Sequence, residues 1–217
     1  MTISKKILLF IVPPSLPIQD LSVTDSEKKD FGFIVSSIPM GVLSLSSYVK
    51  KHTETEVLVL DMNTHVRDEM KTSDAWEEFF KNTLIKKTKG VKIDLVGISA
   101  IFNVCAGYLE SITRICKEIC ENPIVIAGGG LPSNLPEECF ELAPNMDAIA
   151  YSEGEKPLVR LLKSEDMLKD LEESNGWISK ESLEKKKKRP TMEFVNELDE
   201  IPPMSYELID FEKYKNL

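Results

Sequence analysis

Runs of apolar, β-branched residues alternate along this chain with stretches whose apolar positions recur every three to four residues. Five of the runs predict strands: Lys6–Val12, Glu56–Asp61, Ile93–Ala100, Ile124–Ala127 and Asp147–Tyr151. They lack the alternating polar positions of a sheet with one wet face, so helices are expected on both faces. The periodic stretches predict helices near Pro39–His52, Ala75–Lys87, Val104–Cys120, Pro136–Leu142 and Glu155–Lys163. Asp74 and Glu77 are spaced as a capping box for the second helix, with Trp76, Phe79, Phe80 and Leu84 on its buried face. Repeated β-α units of this kind predict an α/β fold. The sheet is expected to be doubly wound, Rossmann-type and flavodoxin-like, with five parallel strands in the order 2-1-3-4-5.

The regular layout stops at Lys163, which divides the chain into a domain over 1–163 and a C-terminal extension and linker over 164–217. The extension holds a charged stretch, Ser164–Ser174, and a short apolar element at Trp177-Ile178. The run from Glu184 to Arg189 has one acid and five bases without interleaved aromatics, and reads as a solvated turn or hairpin tip. Residues 196–217 show neither period and read as an extended linker. Near the other end, residues 15–37 are too long for an ordinary β-α connection, and such insertions are functional or mobile.

Composition narrows the class. With 217 residues, 42% hydrophobic and 29% charged, the chain is neither disordered, collagen-like nor a disulfide scaffold. A net charge of −9 argues against a nucleic-acid partner, because phosphate binding relies on clustered Lys and Arg. No apolar run reaches the ~18 residues that span a bilayer. Residues 1–12 imitate a signal peptide, but the apolar part is short and Pro13-Pro14 replaces a cleavage site. A buried strand in a cytoplasmic protein is expected instead. The four cysteines are too few and too unevenly placed for disulfides. Cys116 and Cys120 form a C-x3-C, yet they share a helical stripe with Tyr108, Leu109, Ile112, Ile115 and Ile119, which predicts core packing.

In an open parallel sheet, ligands sit beyond the carboxyl ends of the strands. The first strand ends in Val12-Pro13-Pro14-Ser15, with no glycine-rich phosphate loop; G-x-G-x-x-G and G-x4-G-K-[ST] occur nowhere. A phospho-acceptor domain needs an aspartate after the third strand, where Ser99 stands. Ser99 is followed by Ala100-Ile101-Phe102-Asn103, and its hydroxyl can donate or accept at the sheet mouth. The fourth strand runs into Gly128-Gly129-Gly130-Leu131, where missing side chains let a flat ligand lie against backbone. The fifth leads into Tyr151-Ser152-Glu153-Gly154-Glu155. The glycine triplet alone fits a plain turn, but three adjacent strand ends of this character predict a ligand slot.

These stretches are familiar in order and spacing. Val12-Pro13-Pro14, Ile38–His52, Val57–Asp61, Asp94–Ser99, Val125–Gly130, Asp147–Tyr151 and Glu153-Gly154-Glu155 resemble the N-terminal cobalamin (B12)-binding domain of B12-dependent radical S-adenosylmethionine (SAM) enzymes. Leu198–Pro203, Leu208-Ile209-Asp210 and Tyr214 resemble the segment leading into that family's radical SAM barrel. The resemblance covers nearly the whole chain except residues 15–37. It implies a cobalamin whose nucleotide tail enters between the third- and fourth-strand ends. Ser99 would bond the tail, Gly128, Gly129 and Gly130 would make room for its rings, and Tyr151, Glu153 and Gly154 would form the far wall. Pro13, Ala100, Phe102, Asn103 and Leu131 are expected contacts beside them, and Asp61 a polar contact from the second strand.

Two departures shape the expected chemistry. The D-x-H-x-x-G loop that ligates cobalt is absent, and His65 follows the second strand at a different spacing. The resemblance then implies cobalamin bound base-off with no histidine on the metal. The C-x3-C-x2-C cluster loop is also absent, since Pro123 stands where a third cysteine would follow Cys116 and Cys120. The [4Fe–4S] cluster and S-adenosylmethionine are therefore assigned to a barrel following in cis. This chain alone is not expected to catalyse methyl transfer. A cofactor-free structural or interaction domain of the same shape is the alternative. A stand-alone transferase lacks both a phosphate loop and a base–nucleophile pair.

Overall fold

A computed structural model of the protein describes residues 5–22, 37–70, 74–185 and 190–214. Its strands are β1 (Ile7–Val12), β2 (Glu56–Asp61), β3 (Leu95–Ser99), β4 (Ile124–Gly128), β5 (Ala148–Ala150) and β6 (Trp177–Ser179). They form one sheet in the order β2-β1-β3-β4-β5-β6, and every neighbouring pair is parallel except β5 and β6. The doubly wound 2-1-3-4-5 core is the one expected. The sheet has six strands rather than five, because the apolar element at Trp177-Ile178 pairs antiparallel along β5, with Ala150 opposite Trp177. Three residues are too few to display a period, so this strand has no signal apart from its partner.

The helices are α1 (Met40–His52), α2 (Met62–Glu69), α3 (Trp76–Thr88), α4 (Ala106–Ile119), α5 (Gly130–Asn134), α6 (Pro136–Leu142), α7 (Glu155–Lys163), α8 (Met167–Glu173) and α9 (Lys180–Glu184). Four of them, α2, α5, α8 and α9, are absent from the sequence reading because each is short and presents few apolar positions. Side-chain caps define three of these, and at α9 Ser179 accepts from the Ser182 amide at 3.2 Å in a capping box. Asp61 accepts from the Asn63 amide at the start of α2, and Asp166 accepts from the Lys169 amide at the start of α8. The capping box expected at Asp74 does not form: Ala75 is the N-cap of α3 and has no side-chain cap, while Glu77 pairs with Arg114 at 2.8 Å.

Strand alternation divides the core in two. Leu9, Ile11, Val96, Ile98, Val125, Ala127 and Ile149 face α2, α3, α4 and α6. There Trp76 stacks on Phe80 at 5.4 Å and meets Tyr108 edge-on at 4.7 Å, and its indole donates to Ser111 Oγ at 2.8 Å. Cys105, Cys116, Cys120 and Cys139 are free and buried, and burial pushes the Cys120 and Cys139 thiols up to about 11. Leu8, Phe10, Val57, Val59, Leu95, Ile126 and Ala148 face the other way, onto α1, α7 and α8. A fully buried side chain of this kind contributes about 1.5–3 kcal/mol, which explains why two thin layers hold the sheet.

The extension packs where a linker was expected. Beyond β6, Leu208 and Ile209 join the second face, Ser205 Oγ lies 2.9 Å from Ser47 Oγ of α1, and Tyr214 is buried. After α9, the secondary structure among the described residues is confined to short 3-10 turns at Leu198–Glu200, Tyr206–Leu208 and Phe211–Tyr214. Most of the long insertion after β1 (23–36) and the core of the basic run (186–189) lie outside the described residues.

Candidate functional site

The carboxyl ends of β3, β4 and β5 carry an unusual run of small side chains on the α1/α7 face. Ser99 stands opposite Gly128, and a Cβ on Gly128 would lie 3.4 Å from the Cβ of Ala150, which stands opposite Trp177. One step below, Gly97 admits the Phe10 ring, whose edge would be only 2.9 Å from a Cβ at that position. The small floor leaves a cavity of about 260 Å³ between the sheet and the N-terminal parts of α1 and α7. Val42 and Leu45 of α1 and Leu158 of α7 form its apolar sides; Ser152, Glu153, Gly154 and Glu155 form the rim after β5.

Backbone geometry fixes the mouth. The Ala100 amide donates to the Gly128 carbonyl at 2.8 Å, and the Leu131 amide donates to the Ala100 carbonyl at 3.1 Å, stitching the two strand ends together. Gly129 lies between them at φ +110° and ψ −172°, a region only glycine occupies comfortably. Ser152 is also held at positive φ, +73°. Polar groups at the mouth are few. The Ser99 hydroxyl makes no hydrogen bond among the described residues. Glu153 accepts from the Val195 amide at 3.1 Å, and burial, helped by the neighbouring Glu153 charge, pushes the Glu155 carboxyl upward.

The site residues expected from the sequence divide by location. Ser99, Gly128, Gly129, Glu153 and Gly154 line the cavity. Phe102 and Asn103 are exposed, with Phe102 61% accessible beside the lining residue Ile101 at 55%. Gly130 is exposed at the start of α5, whereas Leu131 is buried in the opposite core. Ala100 is fully buried, and its contribution at the mouth is its backbone. Tyr151 packs against the opposite core rather than walling the cavity, because it follows Ala150 by one residue on an alternating strand. Phe10, Gly97, Leu45 and Trp177 line the cavity in addition to the site residues expected from the sequence. The available signal was the alternation itself: positions 97 and 99 on one strand and 128 on the next are all small.

A family model described as the B12 binding domain matches residues 35–162. This chain belongs to the B12-binding domain family. An uncharacterized methyltransferase of Pyrococcus horikoshii is 28% identical to it over 177 residues, covering 82% of this chain and 35% of that protein. A cytidylyl-2-hydroxyethylphosphonate methyltransferase of Streptomyces wedmorensis is 22% identical over 201 residues, covering 81% of this chain and 37% of that protein. The chain thus spans just over a third of the length of these relatives. Among the described residues no helix is long and apolar enough to cross a membrane. For a B12-binding domain, the glycine-lined floor, the apolar sides and the unengaged Ser99 hydroxyl fit a flat heteroaromatic tail.

Asp61 and Pro13 belong to a separate buried network. Asp61 is 5% exposed and accepts from the Asn63 amide at 3.0 Å, from Asn63 Nδ2 at 2.9 Å and from Tyr214 Oη at 2.6 Å. Asn63 in turn accepts from the Ser15 amide at 2.7 Å and donates to the Pro13 carbonyl at 3.2 Å, so it pins the loop after β1. Asp61 is therefore committed to Asn63 and Tyr214, not to the cavity. Burial raises its carboxyl above the usual range despite these donors. The native state then takes up this proton more readily than the unfolded chain. Stability from this group falls as pH rises from about 4 through the raised native value. Tyr214→Phe removes a donor that favours the charged form. It should cost about 1–3 kcal/mol near neutral pH and less in acid, read as denaturation midpoints across pH 4–7.

Proposed function

We propose that this domain holds cobalamin across the carboxyl edge of its sheet, base-off, with the nucleotide tail in the cavity floored by Ser99, Gly128 and Ala150. The observation carrying this reading is that row of small residues, placed at the ligand edge of a B12-binding fold. Ser99 would bond the tail, the glycine floor would accept its ring face, and Val42, Leu45 and Leu158 would exclude water from it. Exposed Ile101 and Phe102 would lie at the mouth. Bound cobalamin supplies a cobalt centre able to carry a methyl group, and the protein contributes its orientation.

We further infer that the domain serves a radical SAM barrel in the same polypeptide, as part of a methyltransferase. Both relatives are named methyltransferases and extend well beyond the matched span. The [4Fe–4S] cluster and S-adenosylmethionine would belong to that barrel, since Cys116 and Cys120 are buried in the core here.

Titration of the purified chain with hydroxocobalamin tests the reading. Saturable binding with a base-off absorption spectrum is expected. His65 lies 2.7 Å from Glu69 on α2 and lines a different cavity, under the C-terminal segment. His65→Ala should accordingly leave the absorption spectrum and the paramagnetic spectrum of the reduced complex unchanged. Loss of nitrogen hyperfine coupling in that variant would identify His65 as a cobalt ligand and overturn the histidine-free assignment. Absence of binding by the parent chain would favour the cofactor-free scaffold.

A further inference from the structure

Trp177, in the inner wall of the cavity, carries a buried donor that has no acceptor among the described residues. Trp177 opens β6, directly opposite Ala150, so its side chain rises on the same face as Ala150 and Gly128. It is 3% exposed, lines the cavity, and closes the row of small residues at its far end. Its indole Nε1 is shielded from solvent and meets no acceptor among the described residues. Buried indole N–H groups ordinarily find a partner. The chain's other tryptophan does so, since Trp76 donates to Ser111 on the opposite face of the sheet. Trp177 also lies outside residues 35–162, the span matched by the family model.

We propose that the Trp177 indole N–H reads the buried end of the ligand by donating to an acceptor atom on it, such as a ring nitrogen of a heteroaromatic base. The inference rests on the cofactor reading above and adds a specificity-determining residue to it. A base released from cobalt has a free ring nitrogen, an acceptor that needs a donor once it is removed from water. The floor and the wall act differently. Ser99, Gly128 and Ala150 admit any flat ring, whereas Trp177 selects rings with an acceptor at the inner edge. An antiparallel strand is suited to this, because it starts at the edge where the parallel strands end.

Two corrinoids separate the possibilities: hydroxocobalamin, which has the nucleotide tail, and dicyanocobinamide, which lacks it. Trp177→Phe keeps a ring in the wall and removes only the N–H. It should weaken hydroxocobalamin about tenfold, the loss of one buried hydrogen bond, and leave dicyanocobinamide unchanged. Equal affinity of parent and variant for hydroxocobalamin overturns the proposal while leaving the cavity assignment intact. A parent chain that holds both corrinoids equally well shows that the tail is not inserted, and overturns it too. A parent chain that binds neither removes the cofactor reading itself. Should the variant not fold by circular dichroism, ¹⁵N-tryptophan labelling of the parent gives the answer directly. The Trp177 indole resonance is expected to shift on saturation with hydroxocobalamin while that of Trp76 stays in place, and a stationary Trp177 resonance overturns the assignment.

Discussion

Replacing Gly128 with leucine should lower cobalamin affinity by about a hundredfold and leave the fold in place. Gly128 is the centre of the cavity floor, between Ser99 on β3 and Ala150 on β5. Its backbone has an ordinary negative φ, and a Cβ there meets only the Ala150 Cβ at 3.4 Å, an ordinary contact. The first added carbon is therefore tolerated, and the rest of the side chain enters the space intended for the ligand. Overpacking a tight site costs about 1–3 kcal/mol. The upper end applies here because the obstruction lies under the ring face rather than beside it, and ~3 kcal/mol corresponds to about a hundredfold in affinity. Circular dichroism and a melting curve should match the parent, while a hydroxocobalamin titration should lose nearly all its signal at concentrations that saturate the parent. A folded Gly128→Leu variant that binds normally would place the tail elsewhere on the domain.

The contrast between legible and hidden parts of this molecule has a physical basis. The parallel core was legible because buried strands need continuous apolar runs and their crossover helices need one apolar stripe, and both patterns extend over enough residues to register. Hence β1 to β5 and the five crossover helices stand close to their expected positions. What was hidden depends on partners distant in sequence. β6 is three residues that become a strand only against β5, and Tyr214 is recognisable as an anchor only once Asp61 is seen beneath it. Within the site, Ser99 and Gly128 were legible as strand-end residues, but Trp177 was not, because its relation to Ala150 is set by antiparallel pairing between positions 27 apart in the chain. Asp61 misled for a related reason. A carboxylate at a strand end suggests a ligand contact, and nothing local reveals that Asn63 and a tyrosine far along the chain already occupy it.

Gly129 gives the second large effect, on stability rather than binding. Gly129→Val should prevent the domain from folding stably at 37 °C. At φ +110° and ψ −172° a β-branched residue is outside its allowed backbone space, and such a conformation costs about 1–3 kcal/mol. Steric conflict adds to this. A Cβ at Gly129 would be 2.8 Å from the Ala100 carbonyl oxygen and 3.0 Å from its carbon, backbone atoms that cannot swing aside as a flexible side chain would. That same carbonyl accepts from the Leu131 amide, and the Ala100 amide donates to Gly128, so retreat by Ala100 breaks the stitch between β3 and β4. The summed penalty is comparable with the ~5–15 kcal/mol by which a whole domain is stable. Denaturant midpoints should separate the two neighbouring glycines: Gly128→Leu close to the parent, Gly129→Ala lowered, and Gly129→Val without a cooperative transition. A Gly129→Val protein melting like the parent would mean that this turn relaxes to negative φ without disturbing Ala100. The mouth of the cavity would then be a soft loop rather than the rigid frame on which the tail pocket depends.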